Sequence, residues 1–353
     1  MNTENKNGWR PSSQQRAVLE ILRDESAENQ AEFCRNFCTF TSSKLTKILN
    51  VLETDENGKP KPSYFDDIAD PEALMEEIEE LVASLPAKRL AMENTRDIEV
   101  LPTSSFRAAV VAAKQCKLKK NAERVIQYIA PTRGGKTTLH LYLQQKLRVD
   151  FHLAFVNCRS SWRPANADNR LRAEYTVLKD ICTGLGLRIH DNKRRSGVPG
   201  ITDAIVEALC NRAVLMVVDE ARFLATASLN LFIDLLNRSR VVILTQCTPI
   251  ASTRMHQWYK DEAEQFDGRT HKTIRVNEIP VSDVELFFPE KNKFEDAPAM
   301  HRLIADKASQ FGHFSLIART KQYLQTSTRA EEKEVRAALE KALAEMNHSD
   351  SKS

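Results

Sequence analysis

Short apolar runs punctuate the middle of the chain: RVIQYIA at 124–130, HLAFVN at 152–157, AVLMVVD at 213–219 and VVILTQ at 241–246. Each is a β-branched or otherwise apolar run too short for a helix that crosses a core, so each reads as a buried strand. Segments with apolar residues at helical spacing follow the first three. That alternation predicts a parallel sheet covered by helices on both faces. Flanking it, the pattern is helical only. Before it lie SSQQRAVLEILRDE, NQAEFCRNFC, SSKLTKILNVLE and DPEALMEEIEELVASL, which start at Ser, Asn or Asp caps. After it lie APAMHRLIADKASQFG, FSLIARTKQYLQT and RAEEKEVRAALEKALAEM. The expected division is a helical unit over 1–92, an α/β unit over 93–285, a helical lid over 286–346 and a disordered tail over 347–353.

Composition changes this picture little. The chain has 353 residues, 42% hydrophobic and 28% charged, with a formal net charge of +3. That charge is too small to name a polyanionic partner, so a nucleic-acid surface must be local. No apolar run reaches the roughly 20 residues that span a bilayer, and the first residues lack the apolar core of a secretory signal. A cytoplasmic protein without membrane contact is expected. The seven cysteines are odd in number and sit mostly in apolar stretches, as buried reduced thiols do.

The chemistry concentrates in APTRGGKTT, residues 130–138. A strand, a glycine turn and a helix opening at Lys-Thr make a phosphate cradle, in which converging backbone N–H groups hold the phosphates. Ala130, Pro131, Thr132, Arg133, Gly134, Gly135, Lys136, Thr137 and Thr138 are the expected nucleotide contacts. Lys136 would reach the β- and γ-phosphates, and the Thr137 hydroxyl would hold Mg²⁺. Ala130 stands where glycine is commoner, at the end of the strand.

The second signal is the run ending in Asp219-Glu220. A buried strand that delivers adjacent carboxylates at its end needs a use for them. Asp219 would bind Mg²⁺, directly or through water, and Glu220 would polarise the attacking water. The following strand ends in Thr245-Gln246, and either residue is a candidate γ-phosphate or water contact, with Gln246 the expected catalytic one. ATP hydrolysis is the expected activity.

Phosphate loop, Asp-Glu strand, polar-tipped strand and small helical lid together resemble an AAA+ ATPase: an α/β P-loop parallel sheet with a C-terminal lid. NQAEFCRNFCTFTSSKLTKILN resembles a helix-turn-helix, with the turn at 38–41 and a recognition helix over 42–52. Cys38 stands where glycine usually occupies the turn, and a plain helical domain is the other reading. With EVLPTSSFRAAVVAAK, LGLRIHDNKRRSGVPGITDAIVEAL and QFDGRTHKTIRV in order, the chain resembles AAA+ ATPases of the transposition-regulator type. This is the family of the phage Mu target selector and of TniB, IstB and TnsC.

The resemblance implies an ATP- and Mg²⁺-dependent protein that forms a homo-oligomer, ring or helical filament, on double-stranded DNA and directs a transposase to it. It implies an arginine finger supplied by the neighbouring subunit, with Arg269 the first candidate and Arg275 the second. The family's lid commonly carries an arginine just after a glycine. Here Ser315 falls near that position and Arg319 a turn later, so Arg319 reaches back or the contact is missing. The loop clusters Arg159, Trp162, Arg163 and Lys193, Arg194, Arg195 would contact duplex phosphates without reading bases, and Lys44 and Lys47 would contact DNA from the recognition helix. The alternative is an AAA+ remodeller or signalling switch acting on protein, for example in phage defence.

Overall fold

The computed structural model describes residues 9–27, 30, 33–34, 38, 41–54, 61–66, 68, 70–96, 100–163, 170–187, 197–290, 293–311, 313–325, 327 and 329–350. The apolar runs become strands β1 (Val125–Ile129), β2 (His152–Asn157), β3 (Val214–Asp219) and β4 (Val242–Cys247). With β5 (Thr270–Arg275) they form a parallel five-stranded sheet in the order β2-β3-β4-β1-β5. All strand C-termini therefore meet one edge, and β4 stands between the strand of the glycine loop and the strand of the acidic pair. This is the helix-covered parallel α/β sheet that the sequence led us to expect.

Both faces are covered, because successive side chains on a strand point to opposite sides. One face buries Ile126, Tyr128, Leu215, Val217, Val242 and Leu244 beneath α4 (Ser104–Leu118), α5 (Lys136–Leu147) and the C-terminal helices. The other buries Val125, Ala154, Val156, Met216, Val218 and Ile243 beneath α6 (Arg170–Leu185), α7 (Gly197–Cys210) and α8 (Thr226–Arg238). β5 is a departure from the sequence reading, which took Arg269 to Val276 as a segment bearing an arginine rather than a strand. Its pattern, Thr-His-Lys-Thr-Ile-Arg, has no apolar run. It needs none, because it is an edge strand paired only with β1, where lysine on the exposed side discourages further pairing.

The N-terminal helices α1 (Ser13–Ser26), α2 (Ser42–Leu49) and α3 (Pro71–Arg96) bury their own cluster around Leu19, Leu22, Leu45, Ile48, Phe65 and Met75. Ser12 caps α1 in a reciprocal capping box with Gln15, and Thr41 caps α2 by accepting from the Lys44 amide. α2 continues as a 3-10 turn to Leu52. The helix expected before it lies largely outside the described residues. α3 runs to Arg96, past residue 92 where the helical unit was expected to end; the segment after Pro86 is built of good helix formers (Ala, Lys, Arg, Leu, Met, Glu). Arg212, after α7, joins this unit to the sheet: its Nη1 donates to the Cys38 carbonyl (2.8 Å) and its Nη2 to that of Leu185 (3.1 Å). Burial pulls its pKa down to about 10.

Beyond the sheet come α9 (Pro249–Trp258) and α10 (Lys260–Asp267), then α11 (Val281–Phe287), α12 (Ala297–Phe311), α13 (His313–Tyr323) and α14 (Glu332–Asp350). The last helix extends past Met346, into the stretch expected to be a disordered tail. All seven cysteines are free thiols. Among the described residues, no helix is long and apolar enough to cross a membrane.

One contact between α9 and α10 makes stability depend on pH. His256 faces the Ser252 carbonyl through Nδ1 (2.7 Å) and Asp267 through Nε2 (2.6 Å), and these acceptors, the carbonyl first, raise its pKa. A raised folded pKa means a contribution present in full below the ordinary value of about 6.5 and lost as pH rises through the folded value. His256→Gln is expected to narrow the denaturant-midpoint gap to the parent as pH rises from about 5.5 to 8.5. A gap that widens with pH would contradict the assignment.

Candidate active site

β1 delivers the chain to Ala130, and the loop closes with the Gly134 amide donating to the Pro131 carbonyl (3.0 Å) before α5 begins at Lys136. Arg133 and Gly135 both take left-handed backbone, at φ 66 and 79. Alternating left-handed residues turn successive N–H groups inward, which is the backbone nest that binds anions. Neither glycine has room for a side chain. A Cβ on Gly134 would fall 2.8 Å from the Ala130 Cβ, and one on Gly135 would fall 3.1 Å from the Phe106 ring in addition to its positive φ. Thr132, Thr137 and Thr138 are exposed, with Thr137 in the first turn of α5.

Lys136 Nζ lies across the loop mouth, donating to the carbonyls of Pro131 (2.9 Å) and Ala130 (3.2 Å). Burial lowers its pKa, while Asp219 and Glu220 pull the other way. Both carboxylates therefore act electrostatically on the loop lysine, although more than eighty residues separate them in sequence. Asp219 ends β3, with Oδ1 accepting from the Glu220 amide (2.8 Å) and Oδ2 4.0 Å from His140 Nε2. Glu220 takes left-handed backbone at φ 51, and its Oε2 pairs with Arg222 Nε (2.8 Å). Strain of this kind in a non-glycine residue costs on the order of 1–3 kcal/mol and persists where the surroundings enforce it.

Of the two strand-end candidates, register separates Gln246 from Thr245. Val218 pairs with Thr245, so Gln246 stands level with Asp219 on the opposite face from Thr245, and both Thr245 and Gln246 are buried. The Gln246 carboxamide is engaged on both sides: Oε1 meets His140 Nε2 (2.7 Å) and Nε2 donates to the Lys136 carbonyl (3.3 Å). His140 was not singled out from sequence. It stands one turn after Lys136 on α5, the i+4 spacing that shares a face, and that spacing was the signal available. Burial lowers its pKa, opposed by Asp219.

The lid side holds a second unanticipated histidine. Phe314 of α13 and Phe106 of α4 pack over Gly135, their rings 6.1 Å apart. The residue before Phe314, His313, has φ 47, and its buried Nδ1 has no hydrogen-bond partner among the described residues. Burial and then the Lys136 charge lower its pKa, so it lies within electrostatic reach of the loop lysine. Of the two alternatives for Arg319, reaching back toward the nucleotide or leaving that contact missing, its pairing with Glu345 of α14 (2.8 Å) does not support the first. Arg133 also faces α14, donating to the Met346 carbonyl (3.0 Å).

The remaining candidates scatter. Arg269 opens β5 at the sheet edge opposite the loop, where its carbonyl accepts from Val125 N (3.0 Å) and its guanidinium holds the Gln265 carbonyl and the Asn237 side chain. The length of β1, roughly 16 Å at 3.3 Å per residue, separates it from the loop of its own chain. Arg275 pairs in register with Ile129, at the loop edge. Trp162 requires a correction: it is completely buried, with its indole N–H donated to Asp180 (2.9 Å), so it is core and not a DNA-facing ring. The short turn that follows β2 folds it inward onto Phe232. Arg159 pairs with the same Asp180 (3.2 Å). Lys193, Arg194 and Arg195 lie outside the described residues. Lys47 is exposed on α2, and Lys44 sits 4.4 Å from the Tyr64 ring centroid.

No protein-family model matches the chain, and no curated protein matches it in sequence. Among solved structures it is similar to the ORC2 protein of Aeropyrum pernix in its ADP form, at 16% identity and a TM-score of 0.44 over 69% of this chain and 70% of that one. It is also similar to the Thermotoga maritima RuvB Holliday junction branch migration motor, at 13% and 0.39 over 68% and 69%. The C. elegans protein PCH-2 follows at 11% and 0.36 over 69% and 68%. Likeness at this level carries no argument about activity or partners.

Proposed function

We propose that this chain is an ATPase that works as a DNA-bound oligomer and directs a transposase to target DNA. The observation that carries the ATPase part is the convergence of Lys136, Asp219 and Glu220 at one sheet edge beneath a backbone nest. The donor set fits Mg²⁺: the exposed Thr137 hydroxyl and the Asp219 carboxylate are hard oxygen ligands, and nucleotide phosphates supply the rest. Bound Mg²⁺ supplies charge neutralisation on the phosphates. Lys136 holds their outer oxygens. Glu220 takes the proton of the attacking water once its carboxylate leaves Arg222. Gln246 and His140 fix the first turns of α5 against β3 and β4.

The DNA and transposase parts rest on the sequence resemblance. They are tested by duplex binding with and without a non-hydrolysable ATP analogue, on unrelated duplexes. Nucleotide-dependent binding that falls steeply with salt is the expected result; no duplex binding under either condition would favour action on protein. Arg269 is the candidate finger because its distance from its own loop leaves it to a neighbour's. Arg269→Ala is expected to bind nucleotide nearly as the parent does and to lose DNA-stimulated turnover. Mixing it with Lys136→Ala protein should restore part of the activity where an intact loop meets an intact finger. No recovery in verified mixed assemblies would remove Arg269 from that role.

A further inference from the structure

The loops that follow three neighbouring strands bring a set of arginines and rings together on the loop edge of the sheet. Arg163 follows β2, Arg222 and Phe223 follow β3, and Arg254 and Trp258 lie on α9 after β4. The cations and rings alternate. Arg222 lies 4.7 Å from the Phe223 centroid and Arg163 5.8 Å from it; Arg163 is 5.1 Å and Arg254 6.0 Å from the Trp258 centroid. Trp258 is 54% exposed, a costly place for an indole that serves only itself.

We propose that Arg163, Arg222 and Arg254, held on the rings of Phe223 and Trp258, form a contact ridge for the phosphate backbone of duplex DNA. The inference deepens the DNA-binding reading above and rests on it. The rings act as platforms. A guanidinium stacked on an aromatic face is drawn to the ring's negative quadrupole and loses rotamer freedom before any partner arrives. The N–H groups of its planar fork that no protein group holds are then available in the geometry that phosphate accepts. Each ring carries two guanidiniums, Arg163 and Arg222 at Phe223 and Arg163 and Arg254 at Trp258, so the cations are the groups offered to the partner. That predicts contact with backbone and not with stacked bases.

A chain of cations strung along two rings does not converge on one point, so it suits a polymer of phosphates better than a single small anion. Two further contacts shape the ridge. The Arg163 guanidinium also donates to the Arg222 carbonyl, which ties the two loops together, and its buried Nε has no partner among the described residues. Arg222 is shared with Glu220, so a change there would also disturb the acidic pair. Arg254 and Trp258 are therefore the positions to test.

The test is fluorescence anisotropy on two unrelated duplexes with a non-hydrolysable ATP analogue, across roughly 50–200 mM salt. The proteins are the parent, Arg254→Gln, Trp258→Ala and a control, Lys272→Gln, on edge strand β5 away from the ridge; thermal melting verifies the fold of each. Arg254→Gln is expected to weaken both duplexes by about the same factor, near tenfold, and to reduce the slope of log affinity against log salt by about one. Trp258→Ala, which keeps every cation, is expected to weaken binding several-fold through loss of the platform. If the parent binds and both ridge variants match Lys272→Gln in affinity and slope, the ridge is overturned while the DNA-binding reading stands. If the folded parent binds neither duplex, both fall together.

Discussion

Replacing Lys136 with alanine is expected to weaken nucleotide binding at least 100-fold, about 2.7 kcal/mol. Its Nζ already lies over the Pro131 and Ala130 carbonyls at the mouth of the loop. α5 would present it to the β- and γ-phosphates there, while the other cation of the loop, Arg133, is turned to the Met346 carbonyl. Glu220→Gln is expected to behave in the opposite way, keeping nucleotide affinity while slowing hydrolysis by about 10²–10⁴, the usual range for a lost general base. The amide keeps the shape of the side chain but cannot accept the proton of water. Isothermal titration with a non-hydrolysable ATP analogue reads the first variant, and phosphate release at saturating ATP reads the second. Lys136→Ala that binds as tightly as the parent would overturn the loop assignment. Glu220→Gln that turns over at the parental rate would move the base elsewhere.

Arg124→Met is expected to cost about 3 kcal/mol or more of folding stability. Arg124 is 3% exposed and stands just before β1. Its guanidinium donates to the carbonyls of Val241 (3.2 Å), Leu236 (2.5 Å), Ser239 (2.6 Å) and Asn121. Leu236 and Ser239 are at the end of α8, where helix carbonyls have no partner within the helix and the dipole favours a cation. Methionine fills the volume but leaves those carbonyls without a donor, at roughly 1–3 kcal/mol for each one that water cannot reach. Urea unfolding should show a lower midpoint at unchanged slope. A loss below about 1 kcal/mol would mean that water or backbone movement satisfies the α8 terminus.

The strands and the glycine turn were legible in the sequence because both are local. A run such as AVLMVVD has one way to bury its side chains, and a glycine turn between a strand and a helix opening at Lys136 has one economical shape. Asp219-Glu220 at a strand end had to meet the loop once the strands were parallel, since parallel strands end at a common edge. Edge strand β5 escaped notice because exposure on one side removes the apolar run that marks a strand. What only the tertiary structure decided were pairings between residues far apart along the chain. Sequence alone could not say that Trp162 turns inward to Asp180, that Arg319 goes to Glu345, or that His313 lies near Lys136. Nor could it foresee that Arg163, Arg222 and Arg254 stack on shared rings. An arginine or a tryptophan carries the same local pattern whether it faces solvent or a buried carboxylate. The choice is set by which partner the packed elements bring within a few ångströms, and by the cost of leaving a buried polar group without one.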